Sequence, residues 1–207
     1  MVLSGHSKWV NCIDTILATS CELLIASASQ DNTIHIWKIQ LHNKKTSLKY
    51  EAKTLNQKRQ YFYMNSQEYR VVLESILTGH EAWVNEVNWA PKVLRKNTNL
   101  KCLKLLSCSL DKTAIIWEKN ENDNSWYDVT RVGSLHENLS GFYGCRWNSN
   151  ADNILTYDYH GSFHIWKYNN GLHLWKPRSA PGGHYRSVVD LSWEPNGRYV
   201  ILYTTYH

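Results

Sequence analysis

Proline and glycine are scarce, at 4 and 10 of 207 residues, which excludes a collagen-like chain and a Pro/Gly-rich disordered one. Long apolar runs are also missing. None approaches the length of a membrane span, and the N-terminus has no apolar segment of signal-peptide type. The five cysteines, Cys12, Cys21, Cys102, Cys108 and Cys145, are odd in number and include no C-x-x-C pair. No disulfide framework or metal-ligand spacing is written in them, so reduced core thiols of a soluble protein in a reducing compartment, cytoplasm or nucleus, are expected. Phenylalanine is nearly absent as well, with three residues against 10 Trp and 13 Tyr. Trp and Tyr combine a large apolar body with a polar tip, which suits thin β-layers whose side chains reach both a core and a wet rim.

Charge is modest and local. Residues 41–69 carry Lys44, Lys45, Lys49, Lys53, Lys58 and Arg59 against Glu51 and Glu68, and supply +4 of the net +5. Basicity therefore belongs to one segment and not to the chain as a whole.

Internal repetition organises the rest. The stretches Ser27–Trp37, Ser107–Trp117 and Thr156–Trp166 align without gaps. Each has a hydroxyl residue ten positions before a tryptophan and a turn residue (Asp31, Asp111, His160) six before it. Period-two alternation flanks the turn, which is the signature of a β-hairpin. Upstream, Gly5-His6, Gly79-His80 and Gly183-His184 each precede a valine (Val10, Val84, Val188) by four residues from the histidine, while Asn138 takes the histidine position of the third unit. The histidine-equivalent positions are 74, 58 and 46 residues apart. The last spacing is close to a plain repeat of roughly 40–45 residues, so the first unit carries an insertion, the basic segment itself.

These units resemble the WD40 family, whose repeat runs from a Gly-His to a Trp-Asp dipeptide, drifted here to Trp37-Lys38, Trp117-Glu118 and Trp166-Lys167. The resemblance implies an all-β chain: a WD40 β-propeller segment of about three and a half four-stranded blades, not a closed ring and part of a longer protein. The units fall at about 1–77, 78–134, 135–177 and an incomplete 178–207, with 41–69 as a basic, aromatic insertion loop. In the first unit the strands expected are Val10–Thr15, Leu23–Ser29, Thr33–Lys38 and Val71–Leu77.

Within a unit, His80, Ser107 or Ser109, Asp111 and Trp117 should converge, and on paper they contain a Ser-His-Asp set. In the WD40 arrangement, however, these groups satisfy one another inside the blade, and the set recurs as His6, Asp31 and Trp37. Copies are typical of structural networks rather than of active sites. The expected network therefore comprises His6, Asp31, Trp37, His80, Asp111, Trp117, Thr156, Trp166 and His184, with the third unit incomplete or rewired at Asn138 and His160. His160 and His164 stand on a turn and a strand, which separates them by about 13 Å and unsuits them as paired metal ligands. No phosphate-cradling glycine motif is present. No catalytic residue, cofactor or metal is expected.

Binding should fall to rim residues. Lys8, Trp9, Gln30, Trp83, Leu110 and Tyr159 form the candidate protein interface, with Trp9 and Trp83 either exposed as hot spots or packed over the blade edge. The insertion interleaves its lysines with Tyr50, Tyr61, Phe62, Tyr63 and Tyr69, and Lys44, Lys45, Lys49, Lys53, Lys58 and Arg59 are the candidate RNA contact. A second basic loop, Lys92, Arg95, Lys96 and Lys101, is read as solubilising.

Three further stretches, Gly141–Trp147, Tyr159–Trp166 and Val189–Gly197, together with Gly79–Asn85, resemble the family of WD-repeat subunits of the Elongator complex. That resemblance implies a non-catalytic scaffold. Its partners would be the large scaffold subunit and the catalytic subunit of a complex that modifies the wobble uridine of tRNA, with a weak tRNA contact and neither membrane nor small-molecule substrate. The rival readings are a WD40 adaptor of another complex, such as a ubiquitin-ligase substrate receptor, and a hydrolase built on a propeller.

Overall fold

The computed structural model describes residues 2–42, 60–92, 103–133, 140–169, 171–172, 174–178, 188–194 and 200–204. Every regular element among them is a β-strand. The first sheet comprises β1 (Val10–Thr19), β2 (Glu22–Ser29), β3 (Thr33–Leu41), β4 (Gln60–Met64) and β5 (Gln67–Thr78), in the order β1-β2-β3-β5-β4. The second holds β6 (Val84–Trp89), β7 (Lys104–Ser109), β8 (Thr113–Lys119) and β9 (Trp126–Gly133), each paired with the next in sequence. The third repeats this with β10 (Phe142–Trp147), β11 (Asn153–Asp158), β12 (Phe163–Asn169) and β13 (Leu174–Arg178). A fourth sheet has β14 (Val188–Trp193) and β15 (Val200–Thr204). All pairings are antiparallel and no sheet closes on itself, so the four sheets are blades of a partial propeller.

Local chemistry explains the repeated hairpin between second and third strands. Asn32 N donates to Ser29 O at 3.2 Å, Lys112 N to Ser109 O at 3.3 Å and Gly161 N to Asp158 O at 3.3 Å. The donor residue is left-handed each time, with φ of 69°, 70° and 87°. A tight turn closed by one left-handed residue is a favoured short hairpin. The third blade meets its conformational demand with a glycine, the second with a lysine.

Within 41–69 the structure differs from the expected loop. Gln60–Met64 is a fifth strand on the outer edge of the first blade, joined to β5 through Asn65 and Ser66, with φ of 50° and 62°. Two consecutive left-handed residues make the two-residue turn whose twist matches the strands, and alternating Tyr61 and Tyr63 face outward. β5 accordingly starts at Gln67, earlier than the fourth strand expected at Val71.

Blades join through an apolar cluster at each junction and a polar seam repeated at the first two. Leu24, Ala26, Ala28 and Ile36 of the first blade pack with Val84, Val87, Leu105 and Ile115 of the second. Leu106, Cys108 and Ile116 pack in turn with Phe142, Cys145 and Ile154. At the first seam Trp89 N donates to Asp14 Oδ2 at 2.7 Å, and its indole Nε1 to Asp14 O at 3.2 Å. At the second, Trp147 N donates to Asn88 Oδ1 at 2.9 Å and Nε1 to Asn88 O at 3.1 Å. Trp89 and Trp147 thus each clip their blade to the preceding one by both backbone and ring.

Candidate protein-interaction surface

The polar network inside each blade is built by three elements: the segment before the inner strand, the second strand, and the turn that leads into the third. In the second blade Trp117 Nε1 donates to Ser107 Oγ at 2.8 Å. His80 Nε2 lies 2.8 Å from the same oxygen, and His80 Nδ1 lies 2.8 Å from Asp111 Oδ2. An indole N–H only donates and a carboxylate only accepts. Ser107 Oγ therefore accepts from the Trp117 indole, and His80 Nδ1 carries the proton that it donates to Asp111. Thr113 Oγ1 and the amides of Thr113 and Glu81 complete the carboxylate's partners. The first blade repeats the set with His6, Ser27, Asp31, Thr33 and Trp37.

Burial works against the charge on Asp31, but the Thr33 hydroxyl, the Ser7 amide, His6 and the Thr33 amide outweigh it and hold the carboxyl well below the usual range. Burial likewise opposes ionisation of Asp111. There the hydrogen bond and charge of His80, the Thr113 hydroxyl and the Glu81 amide prevail in the same direction. Ser107 is fully buried and His80 nearly so. A serine already shared by an indole and an imidazole, out of reach of any substrate, is not placed as a nucleophile.

The third blade is rewired. Trp166 Nε1 still donates to Thr156 Oγ1 at 3.2 Å. Its turn carboxylate, however, is Asp158, two residues earlier than in the other blades, where it accepts from the amides of His160 and Ser162 at 2.9 Å each. His160 itself is exposed on the turn. Asn138 and His184 lie outside the described residues.

Two features of this region were missed in the sequence. Gly79 is approached by its blade's own tryptophan, and Gly5 by His35. A Cβ on Gly79 would stand 3.1 Å from the Trp117 ring, and one on Gly5 would stand 2.9 Å from His35 Nδ1. His35 stacks on His6 with ring centroids 3.7 Å apart. Burial and then the neighbouring His6 push the His35 imidazole down to about 4, against the pull of Asp31. The repeat comparison held a signal, since the second blade places Ile115 where the first has His35.

On one face the rim residues come together in pairs. Gln30 N donates to Trp9 O at 2.9 Å, and Leu110 N to Trp83 O at 3.1 Å. Trp9 is 79% exposed and Trp83 45%, so Trp9 projects from the surface and does not pack over the blade edge. Lys8, Leu110 and Tyr159 are exposed as well, while Gln30 is half-buried against Asn11 through a 3.3 Å hydrogen bond. Tyr143, exposed and 6.2 Å from Tyr159 in an edge-on contact, belongs to the same surface. Between the blades lies a cleft of about 470 Å³ whose walls include Asn11, Trp83, Asn85, Tyr143 and Arg146. Asn11, Asn85 and Tyr143 each stand five residues after the histidine-equivalent position, a recurrence present in the sequence itself. The candidate RNA contacts Lys44, Lys45, Lys49, Lys53, Lys58 and Arg59 lie outside the described residues, as do Arg95, Lys96 and Lys101.

Comparison with known proteins gives this surface its context. The WD40 family (WD domain, G-beta repeat) matches residues 1–38 and 72–118. Over 97% of its length the chain is 34% identical to Elongator complex protein 2 of Danio rerio. Over 98% it is 35% identical to the Homo sapiens protein of that name, and over 96% it is 36% identical to that of Drosophila melanogaster. The chain spans about a quarter of the length of these relatives, 24%, 25% and 25% respectively.

Proposed function

We propose that this chain, which the WD40 repeat matches at residues 1–38 and 72–118 and which is similar along nearly all its length to proteins named Elongator complex protein 2, serves as a non-catalytic scaffold within an Elongator complex. The observation that carries the reading is the division of labour among its polar groups. The Ser-His-Asp sets are consumed inside the blades, whereas Trp9, Trp83, Leu110, Tyr143 and Tyr159 are left on the surface. Aromatic side chains presented by a rigid β-scaffold are the usual anchors of protein interfaces. On this reading the surface holds other subunits, the large scaffold and the catalytic one. The complex modifies the wobble uridine of tRNA in the cytoplasm, with a nuclear pool, and the chemistry belongs to another subunit.

The test is affinity capture of the intact protein from its own cells, followed by mass spectrometry. Salt-resistant, stoichiometric recovery of the large scaffold and catalytic Elongator subunits is the expected result. Recovery of a cullin-based ligase, or of no Elongator subunit, overturns the assignment.

A further inference from the structure

Each seam between blades places three side chains at equivalent positions. Two face each other in the register of inner and second strand; the third comes from the next blade's inner strand. At the first seam these are Cys12, Ala28 and Val87, and at the third Gly144, Tyr157 and Leu191. Those sets are apolar in character and hold at most one thiol. The middle seam instead brings together Glu86, Cys108 and Cys145, from β6, β7 and β10. All three are buried, with Cys108 and Cys145 fully so. The carboxylate oxygen and the two sulfurs lie within 4.8 Å of one another.

The flanking seams close with largely apolar side chains, whereas here a carboxylate and two thiols meet. A buried ion pair is also weak evidence for stability. We propose that Glu86, Cys108 and Cys145 form a binding site for a thiolate-preferring divalent cation of the zinc type, pinned between the second and third blades.

The donor set is chemically matched to such an ion. Two thiolates and one carboxylate suit zinc. In a tetrahedral zinc site sulfur ligands stand about 3.7 Å apart, so the three donors need to close by about 1 Å at most. Around them stands an orienting shell. The Cys145 amide donates to Glu86 Oε2 at 2.6 Å, and Arg146 pairs with Glu86 Oε1. Such partners fix a ligand carboxylate while leaving lone pairs for the metal. Charge also balances: a divalent cation, two thiolates and the Glu86 carboxylate sum to minus one, which the Arg146 guanidinium neutralises.

Glu86, Arg146 and Cys12 line the interblade cleft, which gives the ion an entry path; solvent would complete the four-coordinate shell. Binding releases two protons, one from each thiol, to solvent. Burial pushes both thiols up in the metal-free protein, so uptake strengthens as pH rises.

Cobalt(II) is the probe, added under reducing conditions to the intact protein and to its Cys108→Ala and Cys145→Val forms. Both substitutions copy the residues of the first seam, Ala28 and Val87, and so suit the local packing. The wild type is expected to develop thiolate-to-cobalt absorption in the near ultraviolet, to release two protons per ion and to lose the band on zinc addition. Both variants are expected to lose that absorption. Absence of the band in the wild type, or its persistence in both variants, overturns the site. Zinc X-ray absorption on the wild type alone gives a second reading, independent of any variant's folding. Two sulfurs at about 2.3 Å with lighter atoms completing the shell are expected; a shell of four sulfurs, or of none, overturns it.

Discussion

Asp14 in the first blade receives both the backbone amide and the indole of Trp89 from the second, the amide on its carboxylate and the ring on its carbonyl. Asn88 receives Trp147 in the same way one blade later. Two different acceptors, a carboxylate and a carboxamide, thus fill one geometric role. Asp14→Ala should therefore destabilise the intact protein by about 1–3 kcal/mol, because it strands a donor at the seam, while Asp14→Asn should cost less. Chemical denaturation of the three forms checks this. Equal loss from Ala and Asn would mean that the charge, and not the acceptor, matters.

The intrablade network makes a second demand. Asp111→Ala leaves the Thr113 hydroxyl, two amides and His80 without their acceptor. A loss of about 1–3 kcal/mol is expected, read as a lower denaturation midpoint in the intact protein. An unchanged midpoint would show that the network is not structural.

Lys112 occupies a left-handed position, φ 70°, that Gly161 fills in the third blade. A side chain there costs roughly 1 kcal/mol, and Lys112 is exposed. Lys112→Gly should raise stability by up to about 1 kcal/mol, net of the flexibility that glycine adds to the unfolded chain. A fall in thermal midpoint would show that the lysine makes a compensating contact.

His35 should give the first blade a pH-dependent stability. Its imidazole titrates at about 4 in the folded chain and near 6.5 when unfolded. Between those values the unfolded state binds the extra proton, so stability falls as pH drops from about 6.5 to about 4. Replacing His35 with Ile, the second blade's residue at that position, should flatten the stability profile in that window. Thermal melts of both forms at closely spaced pH values test it, and parallel profiles would refute it.

The surface makes its own prediction. Trp9→Ala, at a side chain with almost no packing to lose, should leave the melting temperature unchanged. Capture of partner subunits should weaken by roughly 30-fold if the tryptophan is a hot spot of about 2 kcal/mol. Undiminished capture would move the interface to another face.

Residue spacing marked the hairpins, and the resemblance to WD40 repeats supplied the blades and the intrablade polar groups of the first two units. Those depend on period-two alternation and on contacts within one unit, where offsets such as ten residues from Ser107 to Trp117 are fixed by strand register. The tertiary structure decided everything that crosses between units. Asp14 meets Trp89, and Cys108 meets Cys145 and Glu86, only because blades stack at a fixed angle and register. No local spacing encodes such contacts. Solvent exposure divided in the same way: Val10 is 44% exposed and its repeat partner Val84 is fully buried, although both stand four residues after a histidine. The repeat gives both valines one conformation; what packs against each decides which of them is core.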